Sequence, residues 1–314
     1  MSPPPARTRP RFHLGVNLGF AINRFPEPQV WVPLVQGLGV SHVQFVADLL
    51  NPFLPPPVVD RQATLVRRLA DREGIHIQSL FTSAFTRVNH LMHPDPAQRR
   101  VWLAWFESFA RLAARLGAQA MGSHFGIMSV RDWERPRVRQ ARAAGAVAAW
   151  QRLSRLGREL GLDYLLFEPM SVPRENAWTI EETVELWERT NRGAAIPVEV
   201  CLDLGHAPHP DQRDPYLWLE RVGVHSPVLH LQQTEAGHSR HWPFTPEHNA
   251  QGIITAPRVL QALARAGRPE YYLFLEISHR ERWPDDTRVL PDLQASVKYW
   301  QEAIREYDRG RAHA

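Results

Sequence analysis

A chain of 314 residues suffices for one large barrel or two ordinary domains, and its 44% hydrophobic and 22% charged residues are globular proportions. The formal charge is only +4, and its arginines, with Lys298 the sole lysine, are interleaved with acids and alanines rather than gathered into a nucleic-acid-binding stripe. No apolar run reaches the roughly 18 residues of a membrane span, and the single cysteine, Cys201, excludes an internal disulfide and fits a reducing, cytoplasmic setting.

Residues 1–11, MSPPPARTRPR, lack the apolar core of a secretory signal and read as a disordered lead-in to one domain over 12–314. Short apolar runs then alternate with helical periodicity. The first strand is Phe12–Asn17, followed by a helix over Pro28–Gly37. Ser41–Ala47 is the second, ending at Asp48, and a helix starts near Pro57. The third, Ile75–Phe81, leads through a polar loop to a long helix over Asp95–Leu116.

Ala118–His124 is the fourth strand, and the arginine- and alanine-rich helical stretch 131–160 stops at Gly161. Asp163–Glu168 is the fifth, and the helix over Thr179–Thr190 opens with the capping box TIEE. The stretch Pro197–His206, PVEVCLDLGH, is a buried strand that carries Asp203 to its tip. After a helix over Pro215–Val222 come VLHLQQ from Val228, a helix over Ala256–Ala266, YYLFLE ending at Glu276, and a helix over Leu290–Tyr307.

Strict strand-helix alternation implies right-handed parallel crossovers. Eight such pairs predict an α/β fold, a single-domain (β/α)8 TIM barrel. No GxGxxG or GxxxxGK[ST] sequence follows any strand, which removes the phosphate-loop argument for an open doubly wound sheet.

A barrel puts its chemistry at the C-terminal ends of its strands. Those tips carry Glu168, Asp203 and Glu276, with His230 inside VLHLQQ. Three carboxylates crowded together repel unless a cation lies between them. Oxygen-rich ligation with one histidine suits Mn²⁺, Mg²⁺ or Co²⁺ better than structural zinc. Cys201, two residues before Asp203, reads as a small core residue beneath that site.

FEP at 167–169, DLGH at 203–206, HLQQT at 230–234 and FLEIS at 274–278 carry a resemblance in their order and spacing. The sequence resembles the xylose-isomerase-like TIM-barrel superfamily of sugar and sugar-phosphate isomerases and epimerases over roughly residues 12–305. It looks closest to the ketose 3-epimerases and small-ketose isomerases. The resemblance implies that Glu168, Asp203, His230 and Glu276 bind one divalent metal, Mn²⁺ first among the candidates. It makes Glu168 and Glu276 the acid/base pair that moves protons through an enediolate held at that metal. His206 would contact substrate oxygen.

The resemblance also implies a small ketose or ketose phosphate as substrate and a homo-oligomer, dimer or tetramer. One departure concerns the arginine that usually follows the strand-seven histidine. Here the nearest is Arg240, ten residues on, in a loop rich in His and Trp that reads as a substrate cover. Arg240 with His241 could meet a phosphate, Trp242 an apolar sugar face, and His124 of SHFG the pocket wall. A polyol-ketone dehydratase on the same barrel uses similar ligands. A multi-zinc endonuclease branch needs more histidines, and a non-catalytic binding barrel does not need the intact quartet.

Overall fold

The computed structural model describes residues 9–87, 90–207 and 209–312. Residues 1–8 of the expected lead-in lie outside this set, and the first strand begins at Arg11. Eight parallel strands close a barrel in sequence order: β1 (Arg11–Asn17), β2 (His42–Val46), β3 (His76–Phe81), β4 (Ala120–His124), β5 (Tyr164–Glu168), β6 (Val198–Asp203), β7 (Val228–Leu231) and β8 (Glu270–Leu275). Closure is made by β1 on β8, in register from Arg11 against Glu270 to Val16 against Leu275. The fold is the expected single (β/α)8 TIM barrel.

The helices are α1 (Pro28–Leu38), α2 (Pro56–Arg72), α3 (Pro96–Leu116), α4 (Val130–Trp133), α5 (Pro136–Leu160), α6 (Ile180–Asn191), α7 (Pro215–Val222), α8 (Pro246–Gln251), α9 (Ala256–Ala266) and α10 (Val289–Ala312). Proline opens most of them, where its missing N–H would have no intrahelical partner and its fixed φ suits the first turn. Thr179 caps α6 by accepting from the Glu182 N–H, as TIEE predicts, and Gly161 ends α5 in the left-handed conformation. The stretch 131–160 differs from one continuous helix. Pro136 lacks the N–H needed to continue the ladder from α4, so α5 starts anew there.

Two apolar regions result. The outer one lies between barrel and helices, where Trp31, Phe106, Trp150, Leu263 and Trp300 are buried. The inner one fills the barrel with Phe81, Ala120, Leu166, Cys201, Val228, Tyr272 and Phe274. Above it the interior turns polar: Asn17 on β1, Gln44 on β2 and Ser79 on β3 form a buried hydrogen-bonded chain. Burying such groups is tolerable only when they are paired, and this chain ends at His230 on β7. Among the described residues no helix is long and apolar enough to cross a membrane.

Gly122 of β4 marks how tightly the inner wall is filled. A β-carbon there would lie 2.4 Å from Phe81 Cε2, 2.6 Å from Leu166 Cβ and 2.8 Å from the Leu166 carbonyl oxygen. Gly122→Ala should therefore lower stability by about 1–3 kcal/mol through overpacking, read as a drop in the urea midpoint at constant m-value. An unchanged midpoint would show that the wall yields.

Candidate metal centre and active site

Strand register sets the site. Asp203 pairs with His230 across β6 and β7, His124 pairs with Glu168 across β4 and β5, and Glu276 directly follows β8. All of these residues therefore emerge at one C-terminal mouth. Asp203, His230 and Glu168 are all buried.

His230 is the hub. Its Nδ1 lies 3.0 Å from Glu168 Oε1 and 3.1 Å from Glu276 Oε2. Its Nε2 faces the other way, 2.7 Å from Gln44 Oε1 and 3.3 Å from Cys201 Sγ. The same Gln44 oxygen accepts from Asn17 Nδ2 at 2.7 Å, and the Gln44 amide nitrogen donates to Ser79 Oγ at 3.2 Å. Gln44 Oε1 is thus an acceptor, so the neutral ring carries its proton on Nε2 and turns the Nδ1 lone pair toward the carboxylates.

Asp203 is oriented as firmly. Its Oδ1 accepts from the Gly205 N–H at 2.6 Å, and Gln232 Nε2 donates to Oδ1 at 2.9 Å and Oδ2 at 3.0 Å. Gln232 is held in turn by the His241 N–H, which donates to its Oε1 at 2.6 Å. A β-carbon on Gly205 would sit 2.3 Å from Gln232 Cδ, so the glycine of DLGH lets the carboxamide close over Asp203.

His206 reaches over the cluster, with Nδ1 3.5 Å from Glu168 Oε1 and Nε2 3.7 Å from Asp203 Oδ2. Its buried Nδ1 has no hydrogen-bond partner among the described residues, which suits a nitrogen awaiting a ligand. His241 Nδ1 lies 3.1 Å from the Glu276 carbonyl oxygen and 3.8 Å from its Oε2.

Glu168, Asp203, His230 and Glu276 each offer one donor atom, all within 4.8 Å of one another; Asp203, His206 and His241 form an adjoining trio. Neighbouring donors around a six-coordinate cation at about 2.1 Å lie about 3 Å apart. The two contacts at His230 Nδ1 match that spacing, and the donor set is oxygen-rich with one imidazole, so the residues fit a divalent cation of the Mn²⁺ or Mg²⁺ kind. Cys201 is not one of them. Burial pushes its thiol up to about 11, which keeps it protonated in neutral solution.

Without a cation, protons bear the charge imbalance. Burial alone would depress His230, but Cys201 and the carboxylates of Glu276 and Glu168 outweigh it and hold the imidazole well above its usual value. His206 is raised against its burial by Asp203, Glu168 and Glu276. Burial raises Asp203, whereas for Glu276 burial is overcome by hydrogen-bonded His230 and by His241 and His206, which hold it below the usual carboxylate range.

The mouth opens into a cavity of about 310 Å³. Glu168, Glu276, His206, His241 and His124 line it; Arg240 and Trp242 do not. Arg240 is exposed, ion-paired to Glu235 and stacked near the Trp242 ring, and Trp242 packs on His248 while its backbone pairs with Gln233. Local pairing with Glu235, five residues back, draws the guanidinium to the surface. His124 is buried and kept neutral, lowered to about 3 by burial first and by the charge of Arg87 second.

Sequence reasoning passed over Gln44, Gln232 and Arg87. A glutamine inside the apolar run HVQFV was the available signal, since a buried amide demands a partner. Arg87 gave none, because a loop arginine is ordinary until its neighbours are known.

Comparison with known proteins gives a consistent picture. The profile of a family described as xylose isomerase-like TIM barrel matches residues 32–305. The D-erythrulose 1-phosphate 3-epimerase of Brucella abortus (strain 2308) is 33% identical over 297 residues, covering 93% of this chain and 96% of that protein. A crystal structure from Rhodospirillum rubrum ATCC 11170, carrying a provisional xylose isomerase designation, superposes with a TM-score of 0.85 at 28% identity over 93% of this chain and 99% of its own. The D-psicose 3-epimerase of Clostridium cellulolyticum H10 shares the fold, with a TM-score of 0.70 at 16% identity over 93% of this chain and 99% of its own.

Two outcomes follow from the protonation of the cluster and from its anchoring. His230 and Asp203 are both raised, so protons compete with a cation, and Mn²⁺ affinity should rise as pH climbs above about 6.5 through the raised His230 value, with protons released on binding. Titration calorimetry in buffers of different ionisation heat reads this, and a flat profile would contradict it. Gln44→Leu removes the acceptor at Nε2 and should weaken Mn²⁺ binding by about 10- to 100-fold; affinity equal to that of the unaltered protein would show that the tautomer is held elsewhere.

Proposed function

Because the chain belongs to the xylose isomerase-like TIM-barrel family and is an isomerase or epimerase, we propose that it inverts carbon 3 of a small ketose or ketose phosphate, using a divalent cation and two glutamates. The observation that carries this reading is the convergence of Glu168 and Glu276, from β5 and β8, on His230 Nδ1 at 3.0 and 3.1 Å beneath an open cavity. The relative that acts, by its name, on D-erythrulose 1-phosphate supports the choice of a ketose and of the 3-position.

The residues divide the work. A divalent cation held by Glu168, Asp203, His230 and Glu276, Mn²⁺ by preference, would polarise the ketone and offset the charge that develops as the adjacent C–H proton leaves. Glu276 is held ionised by its histidine neighbours, so it can accept that proton in neutral solution. Glu168 approaches from a strand on the other side of β6 and β7 and returns a proton to the opposite face of the carbon. In the reverse direction the two exchange roles.

His206 and His241 flank these carboxylates, at 3.5 Å from Glu168 and 3.8 Å from Glu276. In this reading their N–H groups bind the sugar oxygens next to the reacting carbon and so orient it between the two glutamates. Gln232 keeps Asp203 fixed through hydrogen bonds to both its oxygens. Phe81, edge-on to the His230 ring at 5.1 Å, walls the inner side of the site against water.

Mn²⁺-loaded protein in heavy water should incorporate deuterium at carbon 3 of a C4 to C6 ketose or its phosphate, located by NMR. Glu168→Gln and Glu276→Gln should each slow that exchange by about 10²- to 10⁴-fold while leaving the far-ultraviolet circular dichroism spectrum in place. Exchange at carbon 1 alone would mark an aldose-ketose isomerase, and loss of water a dehydratase. Full turnover after thorough chelation would sink the proposal.

A further inference from the structure

Two carboxylates, Glu168 and Glu276, line the cavity, so an anionic substrate entering it would need a cationic partner there. Among the described lining residues Arg87, in the loop after β3, is the sole arginine or lysine. Its setting is built rather than incidental. Arg87 Nη2 donates to Glu175 Oε1 at 2.8 Å and Oε2 at 2.7 Å, and the Glu175 side chain is 5% exposed against 49% for Arg87. Among the described residues every hydrogen bond of the guanidinium runs through Nη2. Anchored in this way, Arg87 lines the cavity.

Glu175 is itself fixed at some conformational cost. The next two residues, Asn176 and Ala177, have φ of 70° and 55°, a region that non-glycine residues rarely enter. Asn176 Nδ2 secures the turn by donating to the Gly126 carbonyl at 3.0 Å, and Arg174 Nη1 donates to the Met128 carbonyl at 2.6 Å. The loops after β4 and β5 are thereby locked together, and the product of that lock is a buried carboxylate aimed at one arginine. Ser83, Ser171 and Ser278 line the same cavity.

A planar guanidinium anchored through Nη2 at the wall of this cavity has the fork geometry that recognises a phosphate ester. We infer that Arg87, oriented by Glu175, binds the phosphate of a ketose phosphate whose reacting carbons lie between Glu168 and Glu276 in the same cavity. The serine hydroxyls supply further donors to the phosphate oxygens. This inference rests on the ketose epimerase reading and makes the phosphorylated ketose the preferred substrate. Arg240, neutralised by Glu235 at the surface, has no part in it.

The test compares erythrulose with erythrulose 1-phosphate by deuterium exchange in heavy water, and adds 31P NMR titration of inorganic phosphate into the Mn²⁺-loaded protein. Arg87→Met should reduce the preference in kcat/KM for the ester over the free ketose by about 10- to 100-fold, mainly through KM, and should weaken phosphate binding in parallel. Arg87→Lys, which keeps the charge and loses the fork, should fall between. Because Arg87→Met strands the Glu175 carboxylate, Arg87→Met/Glu175→Gln is made alongside, and it should show the same loss of preference. Equal losses on both substrates in the double variant would overturn the inference and leave the pair as a loop clamp. If neither ketose exchanges, the epimerase reading fails, and phosphate titration still decides about Arg87: binding that is absent, or unchanged in Arg87→Met, overturns it.

Discussion

Two carboxylates and an imidazole nitrogen meet within about 3 Å inside a protein wall, and the surrounding structure is organised to make that meeting tolerable. Unscreened carboxylates at such distances repel strongly when water is excluded. The relief comes from a positive charge at their centre, a proton on His230 or a divalent cation in its place. In the proposed reaction the second would also make an adjacent C–H bond acidic enough to break, so the electrostatic problem and the chemistry would share one solution.

Everything around the cluster limits its freedom to rearrange. The Asn17, Gln44 and Ser79 chain holds one edge of His230, and Gln232 with the Gly205 N–H holds Asp203. These groups come from β1, β2, β3 and the strands opposite, so closure of the barrel is a condition for the site and not merely its scaffold. A side chain swinging out would leave buried amides without partners, at about 1–3 kcal/mol each. The orientation of His230 and Asp203 is thus enforced by the hydrogen-bonding needs of the residues around them.

The cavity above has a different character. Loop residues contribute to its walls, and its one lining arginine is ion-paired to a buried glutamate beside a turn held in an unfavourable conformation. In the proposed reading the barrel strands carry the reacting groups, while these loops would select what reaches them. Under that proposal the loops after β3 and β5 are where substrate preference should be sought.

The amino-acid sequence by itself determined the barrel, because strand and helix periodicities alternate eight times and each apolar run leads to a short polar tip. It placed Glu168, Asp203, His230 and Glu276 at those tips, because parallel strands in one barrel must end on one face. The roles of Gln44, Gln232 and Arg87 were decided only by tertiary structure. Gln44 lies 186 residues from His230 and Arg87 lies 88 from Glu175, and no local pattern reports which distant atom a buried amide or a loop guanidinium will meet. Arg240 shows the converse. Its position after β7 suggested the site, but a nearer carboxylate, Glu235, claimed it, since a local ion pair forms without closing a long loop.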